Sequence, residues 1–236
     1  MKIEVDTHTH SIASLHAYST IEELSRSAKK AGLKGFAITD HGPALQGYPH
    51  PYYFGNLRIL PSKINGVRLF RGVELNIMNA EGAVDLTEGY IDALDFAMAG
   101  LHEGCFRPSS RTINTKALIA AIENPLVSVI THPANPAFPV YYEEVVDAAV
   151  KNGKALEINN SSFKVRVGSD ETCPILAKLC AERGALISCG SDAHYHKDIG
   201  RFDLALPVIK KAGIKPHQIV NRTLKSFLLF LESRRP

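Results

Sequence analysis

The sequence lacks three features that would have classed it at once: a run of about 18 uninterrupted apolar residues, an uncharged apolar N-terminus and a C-x-x-C pair. Without the first, no membrane-spanning helix is expected. With charge already present in Met1-Lys2-Ile3-Glu4, a secretory leader is not expected either. The missing C-x-x-C takes Cys105, Cys173, Cys180 and Cys189 out of the dithiol-redox and thiolate-zinc classes, so they read as small buried hydrophobes in a reducing compartment. A cytoplasmic location is the expectation. There is also no basic block: 27 Lys and Arg are interspersed with 24 Asp and Glu, for a net charge of +3. Nucleic acid is therefore conceivable as a substrate but is not implied as a standing partner.

What is present is an ordinary globular composition, 45% hydrophobic and 22% charged over 236 residues, too apolar for a disordered chain. Residues 3–5, 35–39 (GFAIT), 67–73 (VRLFRGV), 96–101 (FAMAGL), 127–131 (VSVIT), 155–158 (ALEI) and 185–189 (ALISC) are short apolar runs ended by polar punctuation, and read as strands. Helical periodicity follows most of them. The capping box Thr20-Ile21-Glu22-Glu23 opens a helix that Gly32 closes, and 115–123, 142–151, 173–183 and 202–211 read as further helices. About seven strand-helix units predict the α/β class with a parallel sheet. No linker rich in Ser, Pro or Gly divides them, which predicts one closed domain over residues 1–236. Residues 223–231 are apolar on most of one face and are expected to pack across the bottom of a barrel. The long irregular segment 42–56, with Tyr48, Tyr52 and Tyr53 around His50, reads as a lid or binding loop.

Ten histidines are many for this length, and their positions are regular. In parallel α/β barrels the reactive groups come from the carboxyl ends of strands, which converge on one face. Here the first strand runs into His8 and His10, the second into Asp40 and His41, the third into Glu74, the fourth into His102, the fifth into His132 and the seventh into Asp192 and His194. His16 follows in the loop after the first strand. A lone histidine at a strand end is ordinarily a hydrogen-bonded polar residue. Seven histidines, a glutamate and an aspartate at equivalent positions require a common cause, and imidazole is the commonest metal ligand. His8-x-His10 is itself a chelating pair, because strand residues i and i+2 point to the same side. Nitrogen and carboxylate donors without thiolate suit zinc, manganese or iron. Nine donors exceed the needs of one ion and would serve two or three.

The segments Asp6-Thr7-His8-Thr9-His10, Ile38-Thr39-Asp40-His41-Gly42, Arg71-Gly72-Val73-Glu74, Gly100-Leu101-His102-Glu103, Thr131-His132-Pro133, Leu156-Glu157-Ile158-Asn159 and Gly190-Ser191-Asp192-Ala193-His194 occur in the order found in the PHP family, named for its polymerase and histidinol phosphatase members. The chain resembles that family over nearly its whole length, and within it the small stand-alone YcdX-type phosphatases. The resemblance implies a distorted (β/α)7 TIM-like barrel of parallel strands, with the metal site at their C-terminal ends, and a metal-dependent phosphatase with three divalent ions, zinc first and manganese or iron next. Carried over, His8, His10, Glu74 and Asp192 would hold one ion. Glu74 would bridge to a second held by His102 and His132, and His16, His41 and His194 would hold the third. The implied substrate is a small phosphorylated molecule, with no membrane involved and the oligomeric state left open.

In that setting a water shared by the ions of the Glu74-bridged site, with its pKa lowered toward roughly 7, is expected to attack phosphorus in line. Glu74, His102 and Asp192 act through that water. Asp6, Asp40 and Glu103 sit beside ligands and could orient imidazoles; Asp40 and Glu103 are also the candidates for an acid or base. Arg107, Arg111, Lys164 and Arg166 are candidates for phosphate contact. Ser11, Ser14 and Ser191 read as hydrogen-bonding or turn residues, not nucleophiles. Competing readings are an amidohydrolase-type C–N hydrolase, which normally wants a bridging carbamylated lysine, a nucleic-acid phosphoesterase, and a catalytically silent metal-binding module.

Overall fold

The computed structural model describes residues 1–45 and 47–233; Gln46, inside the segment read above as a lid, lies outside the described residues. Period-2 alternation decides which side chains face the interior, and β4 (Val67–Asn76) shows it most fully. Leu69, Val73 and Leu75 pack outward against helices, while Phe70 points into a separate inner cluster; above it on the same face stand Gly72, Glu74 and Asn76. Neighbouring strands repeat this layering. The inner floor is Val5, Ala37, Phe70, Met98, Val129 and Ala155, from β1 (Val5–Asp6), β2 (Gly35–Ile38), β4, β5 (Phe96–Gly100), β6 (Val127–Ile130) and β7 (Ala155–Asn159). Ionisable residues sit one or two layers higher, toward the carboxyl ends.

With β8 (Leu186–Gly190), these strands form the parallel path β1-β2-β4-β5-β6-β7-β8, and the short β3 (Lys63–Ile64) pairs antiparallel with β4. The path is nearly closed into a barrel. Between β1 and β8, residues 219–222 fill the seam: the Val5 N–H donates to the Asn221 carbonyl and the Val220 N–H to that of Ile187. The Asn221 side chain accepts from the Cys189 N–H and donates to the carbonyls of Val5 and Cys189. Nearer the mouth, the Asp192 N–H donates to the His8 carbonyl and the His10 N–H to that of Ala193.

Helices α1 (Ile21–Lys30), α4 (Arg111–Glu123), α5 (Tyr142–Asn152), α7 (Ser169–Arg183) and α8 (Ala205–Lys211) lie at the expected places; α4 and α7 start four residues earlier than their periodicity indicated, behind the Ser110 side-chain cap and Gly168. Thr20 and Glu23 form the predicted capping box. α9 (Leu224–Glu232) crosses the barrel bottom as expected, its Phe227 meeting Phe70 and Phe96 edge-on at centroid separations of 4.8 and 5.5 Å. The segment 42–56 is not irregular throughout, because Pro51 at the first turn and His50 as cap start α2 (Pro51–Asn56). The one-turn helices α3 (Glu88–Ile91) and α6 (Ser162–Val165) carried no periodic signal, being too short to show one. Among the described residues no helix is long and apolar enough to cross a membrane.

Candidate metal centre

The strand ends bring the nine predicted donors to one mouth, around Glu74, which is buried. Its two oxygens face different groups. Oε2 lies 3.2 Å from His8 Nε2, 3.4 Å from His10 Nε2 and 3.0 Å from His41 Nδ1. Oε1 lies 3.2 Å from His102 Nε2 and 3.0 Å from His132 Nε2. Asp192 Oδ1 completes the first group, 3.5 Å from His8 Nε2 and 3.3 Å from His10 Nε2, and those two nitrogens are 3.1 Å apart. In the second group His102 Nε2 and His132 Nε2 are 3.3 Å apart. At the outer rim His16 Nε2 and His194 Nε2 are 2.8 Å apart, with the His41 ring stacked 5.3 Å from that of His16.

Two observations test whether cations fit here. Tetrahedral donors at about 2.0 Å from a zinc ion stand about 3.3 Å from one another, and the separations in the first two groups cluster at that value. The second is the direction of the imidazole protons. His8 Nδ1 faces Glu157 Oε1 at 2.8 Å, His102 Nδ1 faces Asn76 Oδ1 at 2.7 Å, and His16 and His194 turn Nδ1 to the carbonyls of Ser14 and Asp192. None of these oxygens can donate, so each Nδ1 carries the hydrogen and each Nε2 is left with a lone pair aimed at the cluster. His10 obeys the same rule through Ser14, whose hydroxyl spends its proton on Asp40 Oδ1 and so accepts from His10 Nδ1. Several lone pairs converging beside two carboxylates are what a cation satisfies. The residues fit divalent metal ions.

Burial and charge oppose one another across the cluster, and at His8 the carboxylates of Glu157, Glu74 and Asp192 outweigh burial and raise the imidazole well above its ordinary range. Glu74 is buried, which opposes charge, yet His8, His41 and His102 hold it well below the usual carboxylate range; Asp192 is held low by His8, His10 and Arg166. Burial opposes a charge on His10 too, but its hydrogen bonds to Asp192 and Glu74 raise it to about 9. Burial drives His132 and His194 down to about 4, helped by Arg166 and His10 respectively. His132 and Asp192 also hold left-handed backbone, at φ 31° and 55°, which few non-glycine residues tolerate outside functional sites.

A cleft of about 660 Å³ opens over the cluster, its lining including Lys164, Arg166 and Arg201 and, as a roof, Leu45 and the Tyr48 ring stacked on His41. Of the expected phosphate contacts, Lys164 and Arg166 face it, whereas Arg111 stacks on Tyr141 and Arg107 lies outside. Of the aromatic segment only Tyr48 faces the cleft; Tyr52 lines a separate groove and His50 caps α2. Asp40 does not face it either. Asp40 accepts from the Ser11 N–H and hydroxyl, the Ser14 hydroxyl and the Tyr53 hydroxyl, so it steadies His10 through Ser14 and is not placed as an acid for a leaving group. Glu103 is exposed. Asp6 accepts from the backbone N–H groups of His8, Ser191 and Gly200, orienting the chain and not a ring. Sequence reasoning assigned no role to Glu157 or Asn76. The signal was available in the strand period, since Asn76 is two residues beyond Glu74 on the same face and Glu157 occupies the inner face of β7.

A family model described as the PHP domain matches residues 6–161. A probable phosphatase of Thermoanaerobacter sp. (strain X514) is 50% identical over 237 residues, spanning 100% of this chain and 97% of that protein. A probable phosphatase of Acetivibrio thermocellus is 43% identical over 235 residues, spanning 100% of this chain and 98% of that protein. Among solved structures, histidinol phosphate phosphatase of Lactococcus lactis, complexed with zinc, L-histidinol and phosphate, superposes with a TM-score of 0.68 at 19% identity, covering 91% of this chain and 95% of that one. A chain in the structure of archaeal ribonuclease P with mature tRNA superposes at 0.58 and 12% identity, covering 98% and 90%. Family match, end-to-end relatives and fold agree, and the chain belongs to the PHP domain family.

Proposed function

We propose that this protein is a metal-dependent phosphatase acting on small phosphate monoesters at a centre of three divalent ions, with residues 1–236 forming one PHP-type domain. The observation that carries the reading is the division of Glu74, whose Oε2 faces His8, His10 and His41 while Oε1 faces His102 and His132. One carboxylate bridging two donor sets is the arrangement that two-ion phosphoryl chemistry needs. The assignment of ligands is then His8, His10, Glu74 and Asp192 for the first ion, Glu74, His102 and His132 for the second, and His16, His41 and His194 for the third. The full-length relatives named probable phosphatases support the reaction class, and the zinc and phosphate of the Lactococcus enzyme support the metal and the ligand chemistry. Manganese and iron share the same donor preferences. Four free cysteines, with the Cys173 and Cys180 thiols pushed up to about 12 by burial, suit a reducing cytoplasm.

Divalent ions bound there supply Lewis acidity toward phosphoryl oxygen and a water nucleophile at neutral pH. The chain does the rest. Glu157, Asn76 and Ser14 hold the imidazole protons outward so that the lone pairs stay on the cleft side. Arg166, 3.4 Å from Asp192 Oδ2 and facing the cleft, offers a planar fork to phosphate oxygens, with Lys164 beside it. The decisive experiment is elemental analysis of the purified protein with hydrolysis of an aryl phosphate before and after chelation. Activity should disappear on chelation and return with zinc or manganese, and His132→Ala should lose most of it. A metal-free protein with full phosphatase rate, or a metal-loaded one that cleaves amides and no phosphoester, refutes the proposal.

A further inference from the structure

We infer that Asp85 is a positioning residue for the centre, fixing which nitrogen of His102 carries the proton and tying the cleft roof to that choice. The inference rests on reading His102 as a metal donor and goes beyond it to a residue outside the cleft. Asp85 lies between β4 and α3. Its Oδ1 accepts the Asn76 N–H at 2.9 Å, and its Oδ2 accepts the Ala44 N–H at 2.9 Å and Asn76 Nδ2 at 2.6 Å. Asn76 Nδ2 also donates to the Gly42 carbonyl at 3.3 Å. Both acceptors of that amide lack hydrogens, so its nitrogen is locked toward them and Oδ1 must face His102 Nδ1, 2.7 Å away. Only an N–H there satisfies the contact. The lone pair is then forced onto His102 Nε2, which points at Glu74 Oε1 and His132 Nε2. The sequence of forced polarities starts at a carboxylate because a carboxylate cannot donate.

The same carboxylate holds the loop that begins the roof. Ala44 is followed by Leu45, and Tyr48 stacks over His41 with centroids 5.5 Å apart and planes 12° from parallel. Gly42 has no room for a side chain, since a Cβ there would overlap the Asp85 carboxylate. Asp85→Asn cannot keep this arrangement: either orientation of the new amide sets its NH₂ against the Asn76 N–H or against the Ala44 N–H and Asn76 Nδ2. The Asn76 amide is then free to turn, and His102 to move its proton to Nε2, where a cation would sit.

The test uses the full chain loaded with zinc, reading zinc affinity by chelator competition and the His102 tautomer from ¹⁵N shifts. Asp85→Asn should weaken one zinc equivalent by about 10- to 100-fold, the range for loss of an outer partner, and shift His102 away from the Nδ1–H form. The double variant D85N/N76D places an acceptor-only side chain beside His102 and should restore its Nδ1–H form, while the loop held through the Ala44 N–H stays released. If Asp85→Asn does not fold, Gly42→Ala displaces the same carboxylate without altering its charge and should show the same loss. Wild-type affinity and tautomer in a folded Asp85→Asn or Gly42→Ala protein overturn the inference. His102→Ala with unchanged zinc binding overturns it together with the metal-donor reading, whereas His102→Ala that loses zinc beside an unaffected Asp85→Asn overturns the relay alone.

Discussion

At His10 a proton competes with a cation for one position. Hydrogen bonds to Asp192 and Glu74 outweigh burial and raise the metal-free imidazole to about 9, so at neutral pH the metal-free protein carries a proton there. A raised histidine favours the metal-free fold below its ordinary range and loses that contribution as pH climbs through about 9, so metal binding must expel this proton below that pH. Zinc affinity should therefore rise with pH between about 7 and 9, by at least roughly tenfold per unit because His8 is raised as well, with proton release visible by calorimetry in buffers of different ionisation enthalpy. A flat affinity over that interval would show that His10 is not displaced. The candidate donors at the strand ends were legible in the sequence because a strand end announces itself by an apolar run that stops. Their orienting partners were legible only in part: strand period puts Asn76 and Glu157 on the inner face, but which imidazole each of them and Ser14 meets, at 2.7–3.0 Å, is decided by the fold.

Among elements, the close approach of β7 and β8 illustrates how a backbone position can govern a ligand. Asn159 pairs with Gly190, and a Cβ at Gly190 would overlap Glu157 Oε1 and stand 2.7 Å from His8 Cβ. Gly190→Ala should push Glu157 off His8 Nδ1 and lower activity by about 10- to 100-fold, with a matching loss of metal affinity. Equal metal content and equal rate in a folded variant would show that the Glu157 contact does not matter. Strand positions were readable because apolar runs and their punctuation survive any packing. Helix starts at Arg111 and Ser169 were missed because a first turn is set by a cap and not by amphipathic period. The hairpin strand β3 escaped because two residues show no alternation. Asn221 also belongs at this scale, as one side chain replacing the ladder that β1 and β8 lack. Asn221→Ala strands a buried donor and two buried acceptors, a loss of about 3 kcal/mol or a melting decrease of roughly 5–12 °C, with the mouth chemistry kept. An unchanged melting temperature would mean that another group fills the seam.

For the molecule as a whole, the two ends of that seam are held by different means. At the bottom, residues 219–222 and Phe227 of α9 close it covalently continuous with the chain and with apolar packing. At the mouth, two backbone hydrogen bonds join 8–10 to 192–193, and the first donor group spans the same gap, taking His8 and His10 from one side, Asp192 from the other and Glu74 from β4. Bound cations would thus stitch the open side of the barrel, and stability gained by binding would be concentrated there. Removing metal leaves that side with its hydrogen bonds and the His10 proton, while β5 and β6 stay paired to a neighbouring strand on both edges. Hydrogen exchange should register the asymmetry: on chelation the amides of His10 and Asp192 should lose protection well before those of Met98 and Val129. Uniform loss across the barrel would mean that the ions stabilise the fold globally, and no loss at all that the seam does not depend on them.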